Sequence, residues 1–289
     1  MSDDTRAPGA GNSTAAETAP LRRLCICADD YGLSPGIDRA ILQLIEQGVV
    51  TATSAMVLRQ AWTADAALLR DQPPTQVDAG LHIDLTCVDG SALEASLAGL
   101  ALRAMLLPRG SAYWRPILRE QLDRFEDAMG RAPSHVDGHR HVHQLPGVRE
   151  TLAELLQARY GRDLPWLRGT RPGPAVGAVA LKQRVIHAMG GWGNRRLARR
   201  AGLALSGRLL GVYGFDRDAQ AYAASLDAWL RQCRDGDVLM CHPAVDGTPD
   251  DGIAAARQHE YAALCALDPA QVARRWGVRL AAPHRLACG

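Results

Sequence analysis

The chain has 289 residues, 47% of them hydrophobic, and a formal net charge of +2. That length and apolar content allow a sizeable buried core, as one large α/β domain or two ordinary ones. The near balance of charge gives no electrostatic case for a nucleic-acid partner. No apolar run reaches the ~18 residues of a membrane span, and seven cysteines without CxxC or finger spacing argue against a disulfide-stapled secreted fold.

Residues 1–20 are rich in Ala, Thr, Ser, Pro and Gly, with no basic start leading into an apolar stretch. A disordered N-terminal tail is expected there, not a secretory signal, and a cytoplasmic protein is the default. Leu24–Ala28 reads as a buried strand, with Cys25 and Cys27 on one side of it as ordinary buried thiols in a reducing compartment. Ser34-Pro35 supplies a helix N-cap and first-turn proline, Ile37, Ile41, Leu44 and Ile45 recur at helical spacing, and Gly48 supplies a stop. A strand is expected over Thr51–Leu58, a helix over Ala61–Arg70 and a third strand over Val77–Leu85. From Thr86 to about Arg109 the pattern is indistinct, as for a lid or an inserted helix.

Trp114–Met129 is an amphipathic helix closed by Gly130, followed by a strand over Ser134–Gly138 and a helix over Gly147–Tyr160. Trp166–Arg168 is a short strand. Between 172 and 219 only helices over Ala178–Met189 and Asn194–Ala201 are evident. The basic run from Arg195 to Arg200 reads as a solvated helix face, not a polyanion site. A helix over Ala219–Cys233, a strand over Val238–Cys241, helices over Ala254–Leu264 and Pro269–Trp276, and a strand over Val278–Ala281 complete the chain. The alternation predicts a parallel sheet in an α/β fold, a single-domain (β/α) barrel-like architecture over 21–289, related to the TIM barrel.

On that frame the polar clusters fall at strand ends. Asp29 and Asp30 end the first strand, His82 and Asp84 the third, Asp137 and His139 the fourth, Arg168 the fifth and His242 the penultimate one. Carboxyl ends of barrel strands line the active-site mouth, so five separate stretches converge on one rim. Adjacent carboxylates at Asp29-Asp30 repel unless a cation or proton separates them, although an acidic pair entering a helix has the same look. Asp84 shares a strand face with His82 and is expected to orient its ring. His139, His141 and His143 bring at least two imidazoles together whether extended or helical, and the pattern does not choose among them. One carboxylate and two imidazoles hold a divalent metal with positions open for water and substrate; a further carboxylate base and a histidine acid complete a hydrolase of amides or esters.

At these residues the chain resembles the YdjC-like carbohydrate deacetylases, the family that includes chitooligosaccharide deacetylase and hopanoid-associated members. The resemblance is carried by Ala28-Asp29-Asp30-Tyr31-Gly32-Leu33-Ser34, Gly80-Leu81-His82-Ile83-Asp84-Leu85-Thr86, His135 through His143 with Pro146, and Leu239-Met240-Cys241-His242-Pro243, in order across about residues 24–281. Arg257-Gln258-His259-Glu260 is similar to the family's closing helix. The resemblance implies a (β/α) barrel-like fold and removal of N-acetyl groups from sugars with one divalent metal ion, Mg or Zn. By position it implies Asp30, His82 and His139 as metal ligands, Asp29 as the base and His242 as the acid toward the leaving amine. Asp84, Asp137, His141, His143 and Arg168 are left as substrate-binding or supporting residues. Tyr31, Gly138 and Ala244 depart from the family's usual Phe, Ser and Gly, and the stretches 87–115 and 172–219 match poorly.

The partner expected is an N-acetylated sugar, with no nucleic acid and no membrane span. Oligomeric state is unreadable from the pattern, and a homodimer is the assembly entertained. Two other functions are weighed: a phosphoesterase on the same rim, which would want more Arg and Lys at strand ends, and a non-catalytic sugar- or metal-binding protein, which would need neither Asp29 nor His242.

Overall fold

The structure, a computed structural model, describes residues 20–86, 97–106, 112–247 and 251–283. The tail expected over 1–20 lies outside them except for Pro20, as does most of the indistinct stretch after Thr86. Strands and helices alternate in the order β1 (Arg22–Tyr31), α1 (Pro35–Glu46), β2 (Ala52–Ala55), α2 (Gln60–Arg70), β3 (Asp78–Ile83), α3 (Leu97–Leu106), α4 (Trp114–Met129), β4 (His135–Gly138), α5 (Val148–Tyr160), β5 (Trp166–Leu167), β6 (Arg171–Pro172), α6 (Gly177–Ala188), α7 (Gly191–Ala201), β7 (Arg208–Leu210), α8 (Ala219–Gln232), β8 (Asp237–Cys241), α9 (Ala254–Cys265), α10 (Pro269–Trp276) and β9 (Val278–Leu280). A short 3-10 segment, His139–Gln144, follows β4.

All the strand pairings are parallel. Neighbours run β5-β4-β3-β2-β1-β8-β7-β6, with β9 alongside the start of β1. The two ends of this order, β5 and β6, are consecutive in the chain, and a bridge between Leu167 and Leu205 joins β5 to the segment entering β7. The sheet therefore curls into a barrel-like wall with a narrow seam, as the α/β alternation predicts.

Strand periodicity sorts the apolar side chains into two layers. Leu24, Ile26 and Ala28 of β1 join the large core between sheet and helices. Cys25 and Cys27 point the other way and pack with Ala52, Trp166 and Val238. The small side chains of Cys25, Cys27 and Ala52 leave room here for polar groups on the barrel axis. Gly80 serves the same end: a Cβ on it would lie 2.3 Å from the His135 ring.

The helices form for local reasons as well. Ser34 caps α1 through Ile37 N (3.4 Å), with Pro35 in its first turn. Helix α4 buries Leu118, Leu122, Phe125 and Met129 on one stripe and stops at Gly130 in the left-handed conformation (φ 65°). Phe125 stacks on Trp62 of α2 at 6.0 Å between centroids.

Several boundaries differ from expectation. β1 runs on to Tyr31, so Asp29 and Asp30 lie within the strand. β2 is confined to four residues. β6 and β7 were not expected; two and three residues between glycines and prolines show no period. Helix α7 starts at Gly191, three residues early, through the hydrogen bond from Asn194 N to Gly190 O.

Candidate active site

The carboxyl ends of β1, β3, β4 and β8 surround a cavity of about 650 Å³ whose lining includes Asp29, Asp30, His82, His139, His141 and His242. Seven of the expected residues are nearly sealed from water: Asp29 is 3% exposed, His82 2%, Asp30 and His143 1%, and Asp84, Asp137 and Arg168 0%. Burying this many ionisable groups is costly unless each is paired, and the pairing defines the site.

Asp30 takes a left-handed backbone conformation (φ 71°) at the end of β1, which Asp tolerates better than most residues. Its Oδ1 lies 3.2 Å from His139 Nδ1 and 3.5 Å from His82 Nε2. Candidate ligand atoms on Asp30, His82 and His139 all fall within 4.8 Å of one another. On the far side of the His82 ring, Nδ1 donates to Asp137 Oδ1 at 2.6 Å. That bond aims Nε2 toward Asp30, the arrangement by which carboxylates orient metal-binding imidazoles. One carboxylate oxygen facing two imidazole nitrogens suits a divalent cation, and the buried Asp137 support completes the fit.

Arg168 locks this cluster from below. It is 0% exposed. Its guanidinium donates to both oxygens of Asp29 (2.6 and 2.5 Å) and lies 2.5 Å from Asp137 Oδ2. Asp137 accepts a third bond from Ser54 Oγ (2.7 Å), and Ser54 in turn pairs with His135 Nε2 (2.9 Å). Burial alone would raise the Asp137 carboxyl, but Arg168 and His82 hold it well below the usual carboxylate range. Burial lowers the His82 imidazole, yet the carboxylates of Asp137, Asp29 and Asp30 more than offset this and bring it to about 9. A cluster this negative seeks a positive charge, whether proton or metal.

His242 follows β8 on the opposite side. Its Nε2 is 3.9 Å from Asp29 Oδ2, and its Nδ1 is 3.8 Å from the buried Glu260 on α9. Glu260 also accepts from the His242 amide (2.5 Å) and from Tyr213 Oη (2.6 Å). Burial opposes protonation of His242, but Glu260, Asp30 and Asp29 raise it above the ordinary histidine value. Phe215 packs edge-on against the ring at 5.3 Å.

The other expected residues separate. His141 lines the cavity, whereas His143 is buried and donates from Nε2 to the Arg168 carbonyl (3.1 Å). Arg140 and His141 both have positive φ (53° and 62°), so the segment is neither the extended nor the helical alternative. Asp84 does not orient His82. β3 ends at Ile83, the period-2 alternation lapses there, and Asp84 turns to Arg59 (2.6 Å) and Thr86 (2.6 Å). Asp137 does the orienting from the neighbouring strand. Arg168 supports the buried carboxylates and does not line the cavity. Arg257 lies outside the expected set: it donates to Asp30 Oδ2 at 2.7 Å and to Asp251 at 2.6 Å. Its motif is visible in the sequence, but its target on β1 is 227 residues away.

A family model described as YdjC-like protein matches residues 23–275. A carbohydrate deacetylase of Homo sapiens is 31% identical over 264 residues, covering 81% of this chain and 78% of that protein. A chitooligosaccharide deacetylase of an Enterobacter species is 36% identical over 142 residues, covering 46% of this chain and 54% of its own length. Among solved structures, one from Enterococcus faecalis described as a cellobiose-phosphate cleavage protein superimposes with a TM-score of 0.63 at 18% identity, covering 92% of this chain and 99% of that one. At that identity the likeness speaks for the fold.

Proposed function

Because the chain belongs to the YdjC-like family, we propose that it is a carbohydrate deacetylase that hydrolyses the N-acetyl amide of an amino sugar or oligosaccharide with the help of one divalent metal ion, Mg or Zn. The reading is carried by one observation: Asp30, His82 and His139 converge at the cavity floor with Asp29 and His242 beside them. The relatives named for deacetylation of carbohydrates and chitooligosaccharides support it.

In this proposal Asp30, His82 and His139 hold the ion. When bound, it supplies Lewis acidity toward the acyl oxygen and makes water easier to deprotonate. Asp29 receives the proton of the attacking water at Oδ2, the oxygen nearer His242. Arg168 fixes that carboxylate by two hydrogen bonds, so the base cannot swing away as the substrate enters. His242 delivers a proton from Nε2 to the departing amine nitrogen, and Glu260 behind Nδ1 favours its protonated form. Leu33, Ile186, Met189, Phe215 and Ile253 supply an apolar wall for the acetyl methyl and a sugar face.

The phosphoesterase alternative is weakened because Arg168 and Arg257 are committed to Asp29 and Asp30. The test is acetate release from a panel of N-acetylated sugars, with and without chelator. Chelator-sensitive release is expected; release that ignores chelator removes the metal from the mechanism.

A further inference from the structure

The near-neutral chain hides a strong asymmetry. Residues 164–215 contain nine Arg and Lys and no Asp or Glu, so this segment carries +9 and the rest of the +2 chain carries −7. Two of the nine are neutralised internally, Arg168 by Asp29 and Asp137, and Arg208 by Asp237. The four on α7 are not. Arg195, Arg196, Arg199 and Arg200 line one shallow cleft with Trp192, and none of the four forms an ion pair among the described residues. Like charges at i and i+4, here 195/199 and 196/200, work against helix stability, so a merely solvated face would be better served by interspersed acids.

The same two helices also expose apolar side chains. Trp192 is 72% exposed, and Leu181 and Val185 on α6 are 62% and 53% exposed. Val176, just before α6, is 87% exposed. Arginines flanking an outward Trp and outward aliphatic residues are the composition of a helix that lies on a lipid headgroup layer. A second copy of the chain is disfavoured, since it would bring the same positive charge face to face. A nucleic acid would engage the arginines and Trp192 but give the aliphatic side chains nothing to cover them.

We propose that α6 and α7 form a peripheral docking face for an anionic phospholipid membrane, with the arginines on headgroup phosphates and Trp192, Leu181 and Val185 in the interfacial layer. The face replaces the plain solvated one expected from the sequence. It does not depend on the hydrolytic reading above.

The test is co-sedimentation of the full chain with phosphatidylcholine vesicles, with and without phosphatidylserine. Binding is expected only with phosphatidylserine and should fall as salt is raised. Each arginine removed should weaken partitioning about fivefold, so Arg195→Gln with Arg199→Gln should weaken it roughly twenty-five-fold. Trp192→Ala should weaken it at constant charge, with circular dichroism checking the fold of each variant. No binding to phosphatidylserine vesicles, equal binding to neutral ones, or unchanged binding by folded variants overturns the proposal. So does capture of RNA by a protein that ignores both vesicles. The wild-type vesicle comparison is decisive even if a variant fails to fold.

Discussion

Arg168→Met tests the internal logic of the site most directly. The side chain is 0% exposed and joins Asp29 from β1 to Asp137 from β4. Methionine matches much of its shape but leaves two buried carboxylates without their cation. Breaking a buried ion pair by removing one partner costs about 3–5 kcal/mol. For a chain of this size each kcal/mol moves Tm by about 2–4 °C, so a drop of roughly 6–20 °C is expected. The acid limb should move too. Asp137 is held well below its ordinary value in the folded state, so its contribution is present above about pH 4 and is lost as pH falls below that. Without Arg168 the depression shrinks, and acid unfolding should begin at higher pH. Arg168→Lys keeps the charge but not the two-pronged donor and should recover only part of the loss. Thermal melts from pH 3 to pH 8 supply the assay. A Tm within about 2 °C of wild type, with an unmoved acid limb, would refute the account of Arg168 as the cluster's internal counterion.

Asp29→Asn should lower kcat by at least about 10²-fold while metal content is retained; full activity would remove Asp29 as the base. His139→Ala should lose the metal ion, measured by elemental analysis after dialysis, and unchanged content would move the ligand role to His141. Glu260→Gln should move the alkaline limb of the pH–rate profile, where His242 loses its proton, to lower pH, because the carboxylate that raises the imidazole is gone; an unmoved limb would exclude Glu260 from that role. Asp38 offers a check away from the cavity. Burial, the largest influence, lifts its carboxyl to about 8 although Gly32 N donates to it at 2.6 Å. A carboxyl raised on folding makes the protein less stable as pH climbs from about 4 to about 8. Asp38→Asn should flatten that slope and be the more stable form at pH 8.5 by denaturant titration, and a parallel loss in both proteins would contradict it.

Residue order alone revealed much of this site because barrel geometry delivers strand ends to one rim. Asp29, Asp30, His82 and His242 needed only the alternation of strands and helices to be brought together, whereas the choice of His139 over His141 and His143 came from the family resemblance. The failures are equally physical. Asp84 was matched to His82 by strand periodicity, which holds only while the strand continues; β3 stops one residue too soon. Asp137 was visible, but its bond to His82 depends on the β3–β4 register, where His82 stands opposite Asp137. Arg257 and Glu260 sit on a helix with an ordinary amphipathic pattern, and only its docking against β1 and β8 shows what they serve. β6 and β7 are too short to show a period, so the return of the sheet toward β5 could not be read from sequence.

The positive φ of Asp30 narrows what can stand at that position. Glycine and asparagine could adopt the backbone with little penalty, but neither brings a negative charge. Glutamate brings the charge but meets the steric cost of a left-handed conformation, and its extra methylene would carry the carboxylate toward Arg257, already 2.7 Å from Asp30. Alanine would confound charge removal with backbone strain, which makes asparagine the cleaner experimental replacement. Chain geometry and chemistry thus restrict the same codon independently, and drift that satisfies one still fails the other.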